Sequence, residues 1–175
     1  MNTTEAPEGW HTRDIPPYAL EMDAVSVSYG SVPALSGVTI GLVRGAVTAV
    51  IGLPGSGKSS LVACVTGRQT PTSGWVGLHD QLVASDPVEW EGLPAADVDR
   101  PELLIADDME DAQYLNAAMS PENEARTVLV TTSAAAVAAA ADVVLFLVEG
   151  RLADAMCDVP AEGIAARLEQ LAGRC

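Results

Sequence analysis

Eight consecutive residues, Gly52-Leu53-Pro54-Gly55-Ser56-Gly57-Lys58-Ser59, set three glycines, a lysine and a hydroxyl at fixed spacing. They fit G-x-x-x-x-G-K-[ST] without a mismatch, the pattern of a loop whose backbone N–H groups wrap a phosphate. The glycines let the chain close around an anion without Cβ clashes. Lys58 brings a full positive charge, and Ser59 offers a hydroxyl to Mg²⁺. A second chemical feature lies further on. Leu103-Leu104-Ile105-Ala106-Asp107 is an apolar run ending in a carboxylate, the arrangement that holds Mg²⁺ beside such a loop. The same Asp would also serve as a helix cap at a strand-to-helix turn. Asp108 follows at once, and its carboxylate would either orient an attacking water or simply belong to a solvated acidic turn with Glu110 and Asp111. Tyr29 ends an alternating segment and would offer its ring to a base or pack on a half-buried strand.

These groups need elements to carry them. Ala46 to Ile51 is short, apolar and rich in β-branched residues, and predicts a buried strand feeding the loop. Lys58 to Thr66 predicts a helix ended by Gly67, so a helix N-terminus points at the phosphate position. Tyr18 to Tyr29 alternates as a strand with one solvated face. Gly30 to Pro33 reads as a turn and Val38 to Val43 as a second strand. Trp75–Leu78, Leu103–Ala106, Thr127–Thr131, Val143–Val148 and Arg151–Ala155 read as further strands. Ser133 to Ala141 predicts an alanine-rich helix capped by Ser133, and Ala161 to Leu171 an amphipathic one. Residues 79–100 carry no clear pattern. The alternation predicts an α/β fold with a mostly parallel central sheet flanked by helices and an antiparallel N-terminal part. A flexible leader is expected over 1–17, followed by a single domain over 18–175.

Composition narrows the class. With 175 residues and 49% hydrophobic content, the chain suits one domain with an aliphatic core. Nine Lys and Arg stand against 24 Asp and Glu, a net charge of -15. An acidic surface argues against nucleic-acid binding and against a polybasic membrane anchor. No apolar run reaches the roughly 18 residues of a spanning helix. Cys64, Cys157 and Cys175 show no metal-ligand spacing. A cytoplasmic protein, able to dock at the inner face of a membrane, is expected.

The ordered motifs resemble an ATP-binding cassette ATPase domain. V-S-V-S-Y-G (25–30) resembles that family's adenine-stacking loop, with Tyr29 as the ring, and A-L-S-G-V-T-I (34–40) the segment after it. G-L-P-G-S-G-K-S-S is its phosphate loop, with Ser60 where threonine is usual. G-R-Q-T-P-T-S-G-W-V (67–76), P-E-L-L-I-A-D-D (101–108) and A-D-V-V-L-F-L-V-E-G-R-L (141–152) resemble, in order, the stretch after the loop helix, the magnesium strand and the last core strand. The resemblance implies ATP and Mg²⁺ as ligands. Gly52, Pro54, Gly55, Ser56, Gly57, Lys58, Ser59 and Ser60 would hold the phosphates, Ser59 and Asp107 the metal, and Lys58 and Asp108 would act in catalysis. A membrane permease, or a second ATPase subunit supplying a signature motif, is the implied partner.

Several departures bear on turnover. Asp107 follows Lys58 by 49 residues, less than half the family's usual gap, and no L-S-G-G-Q signature occurs. Gln81 comes too early for a glutamine lid. Asp108 replaces a glutamate, and Thr132 stands where the switch histidine falls. Two readings follow: an ATPase that drives a permease or other machine, and a nucleotide-binding regulatory or structural subunit with little or no hydrolysis. A small phosphotransferase would need more basic residues than the chain has.

Overall fold

The computed structural model describes residues 18–84, 102–118 and 126–173. The leader expected over 1–17 and residues 85–100 of the unpatterned stretch lie outside the described residues. Two sheets carry the described part. A three-stranded antiparallel sheet has the order β2-β1-β4, from β1 (Tyr18–Tyr29), β2 (Val32–Val43) and β4 (Ser73–Leu78). A six-stranded sheet has the order β5-β6-β7-β3-β8-β9. Its strands are β3 (Val47–Ile51), β5 (Gln81–Ala84), β6 (Glu102–Ala106), β7 (Arg126–Thr132), β8 (Val143–Val148) and β9 (Arg151–Cys157). All its neighbours pair parallel except β8 with β9. The expected fold class is observed.

The central strands are buried on both faces, which is why they read as unbroken apolar runs. In β3, Val47, Ala49 and Ile51 join one core with Val128, Val130, Phe146 and the helix residues Ile164 and Leu168. Val50 joins the other, with Leu103, Ile105, Leu129 and Leu147. Helix α1 (Lys58–Val65) sits in this second core, where its Leu61, Val62 and Val65 meet Leu20, Met22 and Leu42 of the antiparallel sheet. Helices α3 (Ala135–Ala138) and α4 (Ala161–Ala172) cover the opposite face. Among the described residues no helix is long and apolar enough to cross a membrane.

Three local expectations change. The turn expected over Gly30 to Pro33 is only Gly30–Ser31, because Tyr29 pairs with Val32 and Ser28 with Pro33. Proline is tolerated there since β2 is an edge strand. The alanine-rich helix shrinks from Ser133–Ala141 to α3, a single turn. Ser133 does not cap it; Ala134 holds the cap position, and its N–H goes to Thr132 Oγ1 at 2.9 Å. The chain beyond Ala138 tightens into i→i−3 bonds, Ala140 to Val137 and Ala141 to Ala138. It must, because Asp142 is needed at β3: its N–H donates to the Val47 carbonyl at 2.9 Å, and its Oδ2 accepts the Val47 N–H at 2.8 Å. Alanine propensity loses to that anchor. A short helix not read from the sequence, α2 (Gln113–Ala118), begins where Asp111 Oδ1 accepts the Gln113 N–H.

Phe146 is the only phenylalanine in the sequence and is fully buried between β3 and the α3–α4 layer. Phe146→Ala should lower unfolding stability by about 3–5 kcal/mol, read as a shifted urea midpoint with unchanged slope.

Candidate functional site

Parallel strands deliver their C-terminal ends to one edge, where ligands of open α/β sheets bind. Gly52 follows β3, Asp107 follows β6, Thr132 closes β7 and Glu149 follows β8. Strand β7 lies between β6 and β3, so Thr131 and Thr132 at its end stand between the acidic turn and the start of the glycine loop.

The loop is held at its start by the Gly52 N–H, which donates to the Thr132 carbonyl at 3.2 Å. The Ser56 N–H donates to the Leu53 carbonyl at 3.1 Å and makes the turn. Gly55 and Gly57 both take positive φ, 82° and 105°, and Gly57 is the N-cap of α1 without any side-chain cap bond. The first N–H groups of α1 therefore keep their capacity for an anion. A Cβ on Gly52 would lie 2.3 Å from Ser56 Oγ and 2.5 Å from the Leu147 carbonyl, whereas a Cβ on Gly55 would meet nothing within 4 Å. Gly52 is needed for packing, and Gly55 for a backbone shape that opens outward.

Lys58 is buried, and its Nζ donates to the carbonyls of Gly52 at 2.8 Å and Leu53 at 3.1 Å. Burial pulls its pKa below the ordinary 10.5, while the charges of Asp108 and then Asp107 pull it back up. The ammonium and both carboxylates thus share one electrostatic neighbourhood. Asp107 is fixed by Thr131, whose Oγ1 donates to Asp107 Oδ1 at 2.6 Å. Asp108 adopts φ 55°, and its N–H donates to Thr131 Oγ1 at 2.8 Å. Thr132 is fully buried, and its hydroxyl donates to the Met109 carbonyl at 2.6 Å. Tyr29 is half exposed, with its hydroxyl 3.3 Å from Ser60 Oγ, so its ring stands beside the first turn of α1.

The donor set suits magnesium. Ser59 and Asp107 offer hard oxygen atoms, and among the described residues no three His, Cys, Asp or Glu side chains converge. Such an ion would take its remaining ligands from water and phosphate, as Mg²⁺ does. Leu53, Pro54, Gly55 and Ser56 face a different space, a cavity of about 280 Å³ shared with Leu147, Val148, Leu168 and Ala172. None of Lys58, Ser59, Asp107 or Asp108 lines it. Gln81 opens β5 opposite Glu102, at the far end of the strands from the ligand edge, so it is no lid. The sequence reading missed Thr131. A hydroxyl pair ending an apolar strand was its only signal.

A family model described as ABC transporter matches residues 35–130, more than half of the chain. The Fe(3+) ions import ATP-binding protein FbpC of Pseudomonas fluorescens is 38% identical over 66 residues, 38% of this chain and 19% of that protein. The methionine import ATP-binding protein MetN of Brucella abortus is 33% identical over 66 residues, 38% and 18% of the two. The match thus spans about a fifth of these relatives' length. Among solved structures, cbiO1 from Clostridium perfringens superposes with a TM-score of 0.65 at 17% identity, over 88% of this chain and 93% of that one. A nucleotide-free ATP-binding cassette from an ABC transporter gives 0.68 at 14% identity, over 87% and 95%.

Gly52→Ala should destabilise the protein by roughly 1–3 kcal/mol, since the added methyl overpacks the loop base. Adding Ser56→Ala should recover only part of that in the same chemical unfolding assay, because the Leu147 carbonyl still blocks the methyl. Full recovery would place the clash on the Ser56 hydroxyl alone.

Proposed function

The chain belongs to the ABC transporter ATP-binding family, and on that footing we propose that it is a single nucleotide-binding domain over 18–175 that takes up Mg-ATP. Residues 52–60 would cradle the phosphates, with Lys58 swinging from the Gly52 and Leu53 carbonyls onto them. Ser59 and Asp107 would hold the magnesium, and Tyr29 would stack on adenine. The observation that carries this reading is the buried Lys58 ammonium, whose hydrogen bonds go to two neutral backbone carbonyls at the mouth of an uncapped helix. A phosphate would offer it a partner that carries the opposite charge as well as an acceptor oxygen.

The relatives named above are import proteins for ferric ions and for methionine. A cytoplasmic subunit working against a membrane permease, or beside a second ATPase subunit that lends a signature motif, is the matching role for this chain. Turnover by the chain alone would be slow. Thr132 stands where the family has a histidine, and its hydroxyl is spent on the Met109 carbonyl. Asp108 is one methylene shorter than the usual glutamate, and small losses of reach cost orders of magnitude in rate. These two features favour the second reading, a nucleotide-dependent regulatory subunit, over an autonomous ATPase.

Calorimetry and phosphate release on the same preparation separate the two. Mg-ATP should bind, and Lys58→Ala should weaken binding about 10–100-fold, the loss of one or two hydrogen bonds to a charged group. Absence of any nucleotide binding would end this reading. Phosphate release should stay close to that of Lys58→Ala; a rate well above it that falls in Asp108→Asn would restore the ATPase reading.

The ring of Tyr29 gives a separate check. Tyr29→Phe should leave the affinity for a fluorescent adenine nucleotide within about twofold, while Tyr29→Ala should lose the 1–3 kcal/mol typical of one base stack. Equal losses in both variants would point to the hydroxyl and Ser60 instead.

A further inference from the structure

We propose that Thr131 is a positioning residue that sets both carboxylates of the acidic turn, and that Thr132 couples this turn to the start of the glycine loop. The inference rests on the Mg-ATP reading above and goes beyond it, since neither hydroxyl belongs to the phosphate loop or to the magnesium strand.

Both threonines end β7, the strand between β6 and β3, and both are fully buried. A buried hydroxyl must find partners, and each of these finds two. Thr131 Oγ1 accepts the Asp108 N–H at 2.8 Å and donates to Asp107 Oδ1 at 2.6 Å. Because it accepts from an N–H, which has a single direction to give, its own hydrogen is left for the carboxylate. The hydroxyl therefore aims Asp107 by one oxygen. It also meets the backbone of Asp108 where the chain turns left-handed, at φ 55°. A non-glycine residue holds that conformation only where its surroundings over-determine it.

Backbone and neighbour add to the grip. The Thr131 carbonyl accepts the Met109 N–H at 2.8 Å. Thr132 Oγ1 donates to the Met109 carbonyl at 2.6 Å and accepts the Ala134 N–H at 2.9 Å. The Thr132 carbonyl takes the Gly52 N–H at 3.2 Å. Two residues thus fasten 107–109 on one side and the first residue of the loop on the other. Thr131→Val would keep the β-branched shape and lose both bonds of the Thr131 hydroxyl, leaving those of Thr132 in place. Partners that orient metal-binding carboxylates in this way alter metal affinity by about 10–100-fold when removed.

The test is calorimetric titration of ATP in excess MgCl₂ and, separately, in EDTA, on wild type, Thr131→Val and Thr131→Ser. The Mg²⁺-dependent gain in affinity should fall at least tenfold in Thr131→Val, with the EDTA affinity within about twofold of wild type, and Thr131→Ser should restore the gain. A purely structural role would weaken both conditions alike. An unchanged gain in Thr131→Val, or equal losses with and without Mg²⁺, overturns the proposal while leaving the site reading intact. Wild type that binds no ATP in either condition overturns both. Circular dichroism confirms folding of each variant; if Thr131→Val unfolds, Thr131→Ala takes its place against Thr131→Ser with the same two outcomes.

Discussion

Three stretches of backbone meet around the carbonyl of Ala34, and the site depends on their being able to do so. A Cβ on Gly57 would lie 2.5 Å from that oxygen, and one on Gly150 would lie 2.4 Å from it. Both glycines also take positive φ. Gly150 then works as a staple: its N–H donates to the Ser56 carbonyl and its carbonyl accepts the Ser36 N–H, each at 2.8 Å. One residue after β8 therefore joins the glycine loop to β2 of the other sheet. Side chains here would force the sheets apart, and the helix that starts at Gly57 would lose its aim. Close packing of backbone, more than any side chain, fixes where the loop sits.

The sequence made much of this legible, for reasons that can be named. Strands covered on both faces read as apolar runs, so β3, β6, β7 and β8 stood out. The glycine loop was visible because its spacing is set by phosphate geometry and not by neighbours. What stayed hidden was strand order. Nothing local says that β7 separates β6 from β3, and this order is what makes Thr131 and Thr132 part of the site. The shortened α3 was hidden for a related reason. Its alanines favour helix, but the anchor of Asp142 on Val47 lies 95 residues away in sequence. Pro33 misled in the other direction, since an edge strand accepts what a central strand would refuse.

Electrostatics would decide what the proposed site admits. The chain carries a net charge of -15, and two of those carboxylates stand near Lys58. A bare polyanion would approach against that field. Only the ammonium, the helix N-terminus and the loop amides favour it, and all three act at short range. A divalent cation riding with the phosphates would change the sum, since it would offer Asp107 a partner and screen Asp108. Under the proposed function, the acidic turn and the basic loop would suit a metal–phosphate pair better than either component alone.

The posture of Lys58 has one more consequence. Its ammonium lies on the carbonyls of Gly52 and Leu53, the two residues that open its own loop. The side chain thereby acts as a resident substitute for cargo. It adds to the backbone bonds that hold the loop, and under the proposed function an arriving phosphate would evict it. Occupation would then be an exchange of one partner for another, with a net affinity set by the difference between the two. A tether of this kind would trade tightness for readiness, which would suit a module that lets go of its nucleotide as often as it takes one up.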